Sequence, residues 1–288
     1  MAINQRYVPQ MKVLLYSIAD NNESKVDVYL MHRELSGKDL ADIKDIVQEK
    51  LNGSLHEIHI ENEFLATARI NHHFSIEMYY RIFASEFLPR NMDRILWLDA
   101  DIVVKKSLQE FYNSNFEGKS CIVCAHREKD ENHPLISMEA WQRLKLQGTQ
   151  PYFNSGVILM NLCKIRKEFN KTQVCAIIDK FQDVLNYPDQ DILNMIYQDD
   201  VLFADKNKYN FQIHYNWFYP NEKDHIDNNV VILHYAGPAK PWIYKSRHFS
   251  YKYYWKYYLK FGKKATYIHY EVLSSLYVIY KKIITRGK

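Results

Sequence analysis

Two carboxylates one residue apart, Asp99 and Asp101, end an apolar run, Arg94-Ile95-Leu96-Trp97-Leu98. That spacing points both side chains the same way and lets them reach one hard cation. Left unneutralised and close together, they would raise each other's pKa. A divalent ion removes that penalty and can bridge to phosphate oxygens. Taken alone, the pair is equally an ordinary strand end with two solvated acids. Three further clusters accompany it. Tyr152-Phe153-Asn154-Ser155-Gly156 presents an amide beside a flexible turn ahead of a strand. Asp189-Gln190-Asp191-Ile192-Leu193-Asn194 sets acid, amide and acid at a helix start. Free N–H groups there favour anions, although an Asp can also serve only as a cap. His234-Tyr235-Ala236-Gly237-Pro238-Ala239-Lys240-Pro241-Trp242 combines a potential metal ligand, a glycine that permits close backbone approach and a lysine able to hold phosphate.

The elements that must position these groups alternate. A helix pattern starts near Pro9, with Met11, Leu14, Leu15 and Ile18 on one face. Val26-Asp27-Val28-Tyr29-Leu30 alternates like a strand. Ser36 caps a helix carrying Leu40, Ile43, Val47 and Leu51. Residues 55–60 form a strand, Ser75 starts a third helix that Pro89 stops, and residues 94–98 form the strand that runs into Asp99. Further strands are expected over 156–162 and 230–234, and helices over 172–185 and 189–197. Helices alternating with strands argue an α/β protein with a mixed, mainly parallel sheet. Only Met1-Ala2-Ile3 precedes the first helix as strand, so the first strand reads as truncated.

At 288 residues, with 25% charged and 47% hydrophobic residues, the chain is globular. Eight glycines and eight prolines exclude collagen-like and low-complexity structure. The net charge of +4 hides an asymmetry: from Lys240 to Lys288, twelve Lys/Arg face the single acid Glu271, leaving the rest acidic. Ten of the 23 tyrosines lie in that basic stretch. Ile268, Val272, Leu276, Ile279 and Ile283 form a helical stripe there, flanked by Lys281, Lys282 and Arg286. The expected partner is an anionic membrane surface, with a helix packed on the catalytic domain as the plainer alternative. No nucleic-acid module is present, so no nucleic-acid partner is expected. Cys121, Cys124, Cys163 and Cys175 are too few and scattered for a disulfide framework and read as reduced thiols. Cys121 and Cys124 point to opposite faces of an apolar strand, which argues core packing rather than a shared metal. No run of about 18 apolar residues and no signal-peptide core are found. The expectation is a cytoplasmic protein, peripheral on the inner face of the cell membrane.

Together the motifs resemble family-8 glycosyltransferases, retaining enzymes of the GT-A fold, a Rossmann-like nucleotide-diphospho-sugar transferase fold. The resemblance runs from about Ala2 to Trp242. It is carried by Tyr7-Val8-Pro9, Met78-Tyr79-Tyr80-Arg81, Leu98-Asp99-Ala100-Asp101, Phe153-Asn154-Ser155-Gly156, 189–194 and the His234 loop. It implies a GT-A catalytic domain over 1–242 and a basic, aromatic helical segment over 243–288. By resemblance, Asp99, Asp101 and His234 hold Mn²⁺, with Mg²⁺ as a substitute, and Lys240 and the Gly237 backbone clamp the diphosphate of UDP-galactose or UDP-glucose. Arg81, Asn154 and Asp189 then hold the donor sugar and ribose, and Ala2, Asn4, Tyr7 and Ala100 complete the donor site. Gln190 lies on the face where a nucleophile would act. An amide is a poor nucleophile, so a front-side route is expected, with Asp189 and Gln190 stabilising developing positive charge. The implied acceptor is a glycan or glycolipid of the bacterial envelope, or a glycoprotein. Asn4 stands where relatives often carry an acid that binds the base, and His126 where some carry an acid near the acceptor. Two other readings start from the same residues. One is a haloacid-dehalogenase-type phosphatase with Asp99 as nucleophile, which leaves the His234 loop unexplained. The other is a non-catalytic sugar-binding module.

Overall fold

A computed structural model describes residues 1–61, 76–130, 132–147, 150–213 and 219–286. Helix α1 (Val8–Ala19) has a proline in its first turn, where the missing N–H costs nothing. Strand β1 (Val28–His32) follows. Helix α2 (Gly37–Leu51) is started by Ser36, whose hydroxyl accepts the Asp39 N–H at 3.1 Å, and ended by Asn52 in the left-handed conformation. Strand β2 (Leu55–His59) lies parallel to β1, and Ala2 adds a one-residue parallel bridge to Met31. The single helix expected from Ser75 is not formed as such. Ser75 lies outside the described residues, and Ile76–Arg81 is a 3₁₀ helix followed by the short α3 (Ala84–Phe87). Tyr79, Tyr80 and Arg81 are buried in succession, all round the axis of this segment, so it is not a one-faced amphipathic helix.

Strand β3 (Arg94–Leu98) and strand β4 (Ile102–Val104) are separated by the Asp99-Ala100-Asp101 turn. The chain continues through α4 (Gln109–Tyr112), β5 (Cys121–Ala125), α5 (Leu135–Leu144) and β6 (Phe153–Asn161). Next come α6 (Leu162–Glu168), α7 (Lys171–Phe181), α8 (Pro188–Tyr197), β7 (Val201–Ala204), α9 (Lys206–Tyr209), β8 (Phe211–Gln212), α10 (Glu222–Asn228) and β9 (Ile232–His234). Helices α11 (Tyr251–Tyr258) and α12 (Lys264–Arg286) close it. One sheet has the order β3-β6-β5-β7, with β6 antiparallel to β3 and β5, and β5 parallel to β7. A second has the order β4-β9-β8. The Asp-Ala-Asp turn therefore carries the chain from one sheet into the other. Its ends are clamped: the Asp99 N–H donates to Gly156 O at 2.9 Å and the Tyr235 N–H to Asp101 O at 3.0 Å.

Apolar residues of α1 and α2 pack on one side of the sheets, where Leu14, Leu15, Ile43 and Val47 meet Leu30 and Leu159. Each such side chain contributes about 1.5–3 kcal/mol when fully buried. Cys121 and Cys124 fall in different apolar clusters, as expected for opposite faces of β5, and burial pushes both thiols up. The aromatic α11 is part of the core: Tyr251, Tyr254 and Trp255 pack against Val13, Leu233 and Tyr235. Helix α12 docks through Tyr267 and Tyr270, whose rings lie 5.2 and 4.8 Å from that of Trp255. No helix among the described residues is long and apolar enough to cross a membrane.

Candidate active site

Asp99, Asp101 and His234 come from the end of β3, the start of β4 and the end of β9. Their ligating atoms all lie within 4.8 Å of one another, the one such grouping among the described residues. Asp101 places one oxygen 3.3 Å from His234 Nε2 and the other on the Lys240 ammonium. Lys240 also donates to Tyr235 O at 2.6 Å. Burial opposes the Asp101 charge, but Lys240 and then His234 outweigh it and hold the carboxyl well below the usual range.

The second cluster centres on Arg81. Its guanidinium reaches Asp99 at 2.8 Å, Asp189 at 3.0 Å and Ser155 O at 2.7 Å. Burial lowers the Arg81 pKa, and Asp189 and Asp99 more than restore it. Burial raises that of Asp189, with Arg81 pulling it back. Asp189 lies in the first turn of α8, but Tyr187 is the N-cap residue; the Asp189 carboxylate instead accepts from Ser155 Oγ at 3.1 Å. Gln190 accepts through Oε1 from Asn154 Nδ2 at 2.9 Å and the Ser155 N–H at 3.0 Å. Its Nε2 is buried and makes no well-aligned hydrogen bond, with the Tyr152 hydroxyl beside it. Asp191 turns away from the site. Arg143 holds it bidentately at 2.8 and 3.2 Å, and it accepts from the N–H groups of Asn186 and Tyr187, bracing the start of α8.

Asn154 and Ser155 lie inside β6, where the sequence reading had a flexible turn ahead of the strand. Extended backbone aims alternate residues at the site: Asn154 and Gly156 share a face there. Gly156 matters for its missing side chain. A Cβ would meet His234 Cε1 at 2.4 Å, Asp99 Oδ2 at 3.0 Å and Asn154 Oδ1 at 3.1 Å. Asn210 belongs to no motif in the sequence. Its Oδ1 lies 2.8 Å from His234 Nδ1, and its Nδ2 donates to Asn154 Oδ1 at 2.9 Å. Asn154 therefore fixes the Asn210 amide, and an amide oxygen on Nδ1 requires the proton there. In the neutral ring Nε2 then carries the lone pair and faces Asp101, the form in which an imidazole binds a metal ion.

These features fit a divalent cation. A lone pair facing a carboxylate oxygen at 3.3 Å is resolved by a cation between them. The buried cluster also sets three carboxylates, Asp99, Asp101 and Asp189, against two permanent cations, Arg81 and Lys240. Two carboxylates and one imidazole are a donor set that a divalent metal ion accepts. Asn210→Leu removes the hydrogen bond that orients His234. It should lower activity about 10–100-fold while leaving the fold intact by circular dichroism.

Of the remaining expected residues, Tyr7 lies close enough to Lys240, Asp101 and Asp99 to feel their charges. Ala100 is buried in the turn. Gly237 has φ +74°, which favours glycine in the loop after β9. Tyr7 packs edge-on against Trp242 with ring centroids 6.4 Å apart. The Asn4 side chain accepts from the Arg6 N–H, capping a 3₁₀ turn over Gln5–Tyr7. His126 ends β5, its ring 6.3 Å from Tyr152 and 6.4 Å from Tyr187, and burial lowers its pKa.

A twisted α/β sheet with a D-x-D turn at a strand end, facing an imidazole and a lysine from one loop, defines a GT-A transferase fold. The galactosyltransferase LgtC, solved with donor and acceptor sugar analogues, superposes with a TM-score of 0.76 at 22% identity, over 90% of this chain and 94% of that one. The sequence profile of glycosyl transferase family 8 matches residues 1–246, and the chain belongs to that family. The lipopolysaccharide 1,2-glucosyltransferase of Escherichia coli K12 is 26% identical over 266 residues, 88% of this chain and 74% of that protein. Glycosyltransferase GlyF of Streptococcus pneumoniae is 24% identical over 244 residues, 84% of this chain and 56% of that protein. The chain thus spans a little over half of the latter.

Proposed function

We propose that the protein is a metal-dependent retaining hexosyltransferase that moves galactose or glucose from a UDP-sugar to a glycan or glycolipid acceptor. The observation that carries this reading is the meeting of Asp99, Asp101 and His234 beside the Arg81–Asp189–Gln190 cluster. In this reading those three residues hold Mn²⁺, which supplies Lewis-acid stabilisation of a diphosphate leaving group. Lys240 and the Gly237 N–H grip the same diphosphate. Arg81, Asn154 and Asp189 orient the hexose and ribose, while Ala2, Asn4, Tyr7 and Ala100 line the nucleoside end. The Gln190 carbonyl is engaged by Asn154 and Ser155, so its Nε2, beside the Tyr152 hydroxyl, is the end left to face a substrate. That disfavours Gln190 as nucleophile and favours front-side departure, with the Asp189 carboxylate beside the developing positive charge. The E. coli K12 lipopolysaccharide glucosyltransferase and LgtC support hexose donors and envelope acceptors.

A screen of UDP-sugars for Mn²⁺-dependent UDP release and thermal stabilisation tests this. UDP-galactose or UDP-glucose should raise the melting temperature and turn over. Saccharide binding that needs neither metal nor UDP would favour a binding module instead.

We also propose that α12 seats the enzyme on an anionic membrane from the cytoplasmic side. Ile268, Val272, Leu276, Ile279 and Ile283 are 51–66% exposed along one face of it. Lys263 and Lys264 at the start of α12 and Lys281 near its end add positive charge to the segment, about 1 kcal/mol for each that comes near an anionic leaflet. Phosphatidylglycerol vesicles should bind the protein and release it at high salt. Leu276→Asp with Ile279→Asp should weaken binding at least about tenfold, since a buried Leu or Ile contributes roughly 1.5–3 kcal/mol. Equal sedimentation of both proteins with vesicles would refute the membrane role.

A further inference from the structure

The His234 ring can carry its proton on either nitrogen, because each faces an acceptor. Asn210 Oδ1 lies 2.8 Å from Nδ1, and an Asp101 oxygen lies 3.3 Å from Nε2. Only the ring protonated on Nδ1 can give its Nε2 lone pair to a metal ion. Turning the Asn210 amide over would set an N–H against Nδ1 and send the proton to Nε2 instead. The groups that prevent this lie further from the ring.

Followed outward from His234, the polar contacts all run one way. Asn210 Nδ2 donates to Asn154 Oδ1 at 2.9 Å, and Asn154 Nδ2 donates to Gln190 Oε1 at 2.9 Å. Gln190 Nε2 comes next to the Tyr152 hydroxyl, the least well aligned of the links. That hydroxyl donates to Asp191 Oδ1, so its oxygen is what Nε2 meets. An ionised Asp191 can only accept, and Arg143 pairs with it at 2.8 and 3.2 Å. Two backbone donors of β6 enforce the same polarity. The Gly156 N–H holds Asn154 Oδ1 at 3.0 Å, and the Ser155 N–H holds Gln190 Oε1 at 3.0 Å. His234, Asn210, Asn154, Gln190, Tyr152 and Asp191 are all buried. In such surroundings each link polarises the next, and one reversed amide would leave polar groups facing their like.

We propose that Asn154 and Gln190 are positioning residues for the metal ligand: with Asn210 they form a one-way hydrogen-bond chain, ending on Tyr152 and Asp191, that keeps the His234 proton on Nδ1 and its Nε2 lone pair toward the ion. This rests on the reading of Asp99, Asp101 and His234 as the metal site. It gives Gln190 a task besides facing the donor sugar, and it makes metal affinity depend on a side chain that is not a ligand. Elements far apart in the chain thereby act on one imidazole: α8 supplies Gln190 and Asp191, β6 supplies Asn154, and the residue before β8 is Asn210.

Two readouts test this, one of them without metal. In metal-free protein with ¹⁵N-labelled histidine, at about pH 8.5, where imidazole is ordinarily neutral, the ring nitrogens of His234 report the tautomer. Their signals are assigned by their loss in His234→Gln. The wild type should carry the proton on Nδ1, and Asn154→Leu and Gln190→Met should shift it toward Nε2. Mn²⁺ titration followed by electron paramagnetic resonance, with no donor present, should show affinity about tenfold lower in Asn154→Leu and about threefold lower in Gln190→Met. Gln190→Met added to Asn210→Leu should cause no further loss, because the chain is already cut. If Asn154→Leu does not fold, Gln190→Met carries both readouts. Wild-type tautomer and wild-type affinity in Gln190→Met would overturn the proposal. So would losses in Gln190→Met and Asn210→Leu that multiply in the double variant. A wild type that holds the Nδ1 proton through Gln190 but binds no Mn²⁺ would uphold the chain and overturn the metal reading.

Discussion

Asp101→Asn should reduce metal-dependent release of UDP from the donor by about 10³-fold, the scale seen when a principal electrostatic contact to a developing charge is removed. Asp101 is nearly enclosed, 12% exposed at its side chain, and is the junction of the site. One oxygen faces His234 Nε2 and the other holds Lys240. Its loss removes a proposed ligand and leaves the lysine without its counter-charge, so the single variant should also be less stable. Pairing Asp101→Asn with Lys240→Met separates the two effects. The double variant should recover stability, because no unpaired buried charge remains, and should stay inactive. The pH dependence has a definite sign. The folded carboxyl titrates below its unfolded value of about 3.9, so its contribution is present above that value. It is lost as pH falls through the folded pKa. The melting-temperature advantage of the wild type over Asp101→Asn should therefore shrink below about pH 4. An Asp101→Asn protein that releases UDP at the wild-type rate would remove Asp101 from the account.

Gly156→Ala should impair the site through a single added methyl group. The position has no left-handed φ, so alanine meets no backbone objection and the effect is purely one of space. The new Cβ would lie 2.4 Å from His234 Cε1, and the imidazole would have to retreat from Asp101. Displacement of a reacting or ligating group by about 1 Å costs on the order of 10²-fold in rate. The overpacking costs about 1–3 kcal/mol of stability. Steady-state kinetics and a thermal melt read both quantities. Wild-type kcat/KM in this variant would mean that the imidazole position does not matter.

Much of this was legible in the chain because periodicity and caps are local. Ser36 starts α2 as its hydroxyl predicts, and Pro9 lies in the first turn of α1. The D-x-D turn, the Asp189 turn and the His234 loop are each legible as local motifs, but their convergence in space was implied only by the resemblance to family-8 glycosyltransferases. Three features could not be read. Asn210 has no neighbouring motif, and its role exists only because β8 lies parallel to β9 and brings it to His234. The 3₁₀ winding that delivers Arg81 is set by tertiary burial of Tyr79 and Tyr80, which overrides a helical pattern. The extension of β6 back to Phe153 depends on pairing with β5. A glycine in Asn154-Ser155-Gly156 looks like a turn signal when it is in fact a close approach between a strand and an imidazole.

The central claim is that two carboxylates and one imidazole, distant in the chain, share one ion. Pulsed electron paramagnetic resonance of the protein with Mn²⁺ and UDP measures this most directly. One bound Mn²⁺ per chain, with a nitrogen coupling that disappears in His234→Gln and affinity that collapses in Asp101→Asn, is the predicted result. Mn²⁺ bound as tightly in Asp101→Asn as in wild type, or a spectrum without imidazole coupling in the wild type, would contradict it.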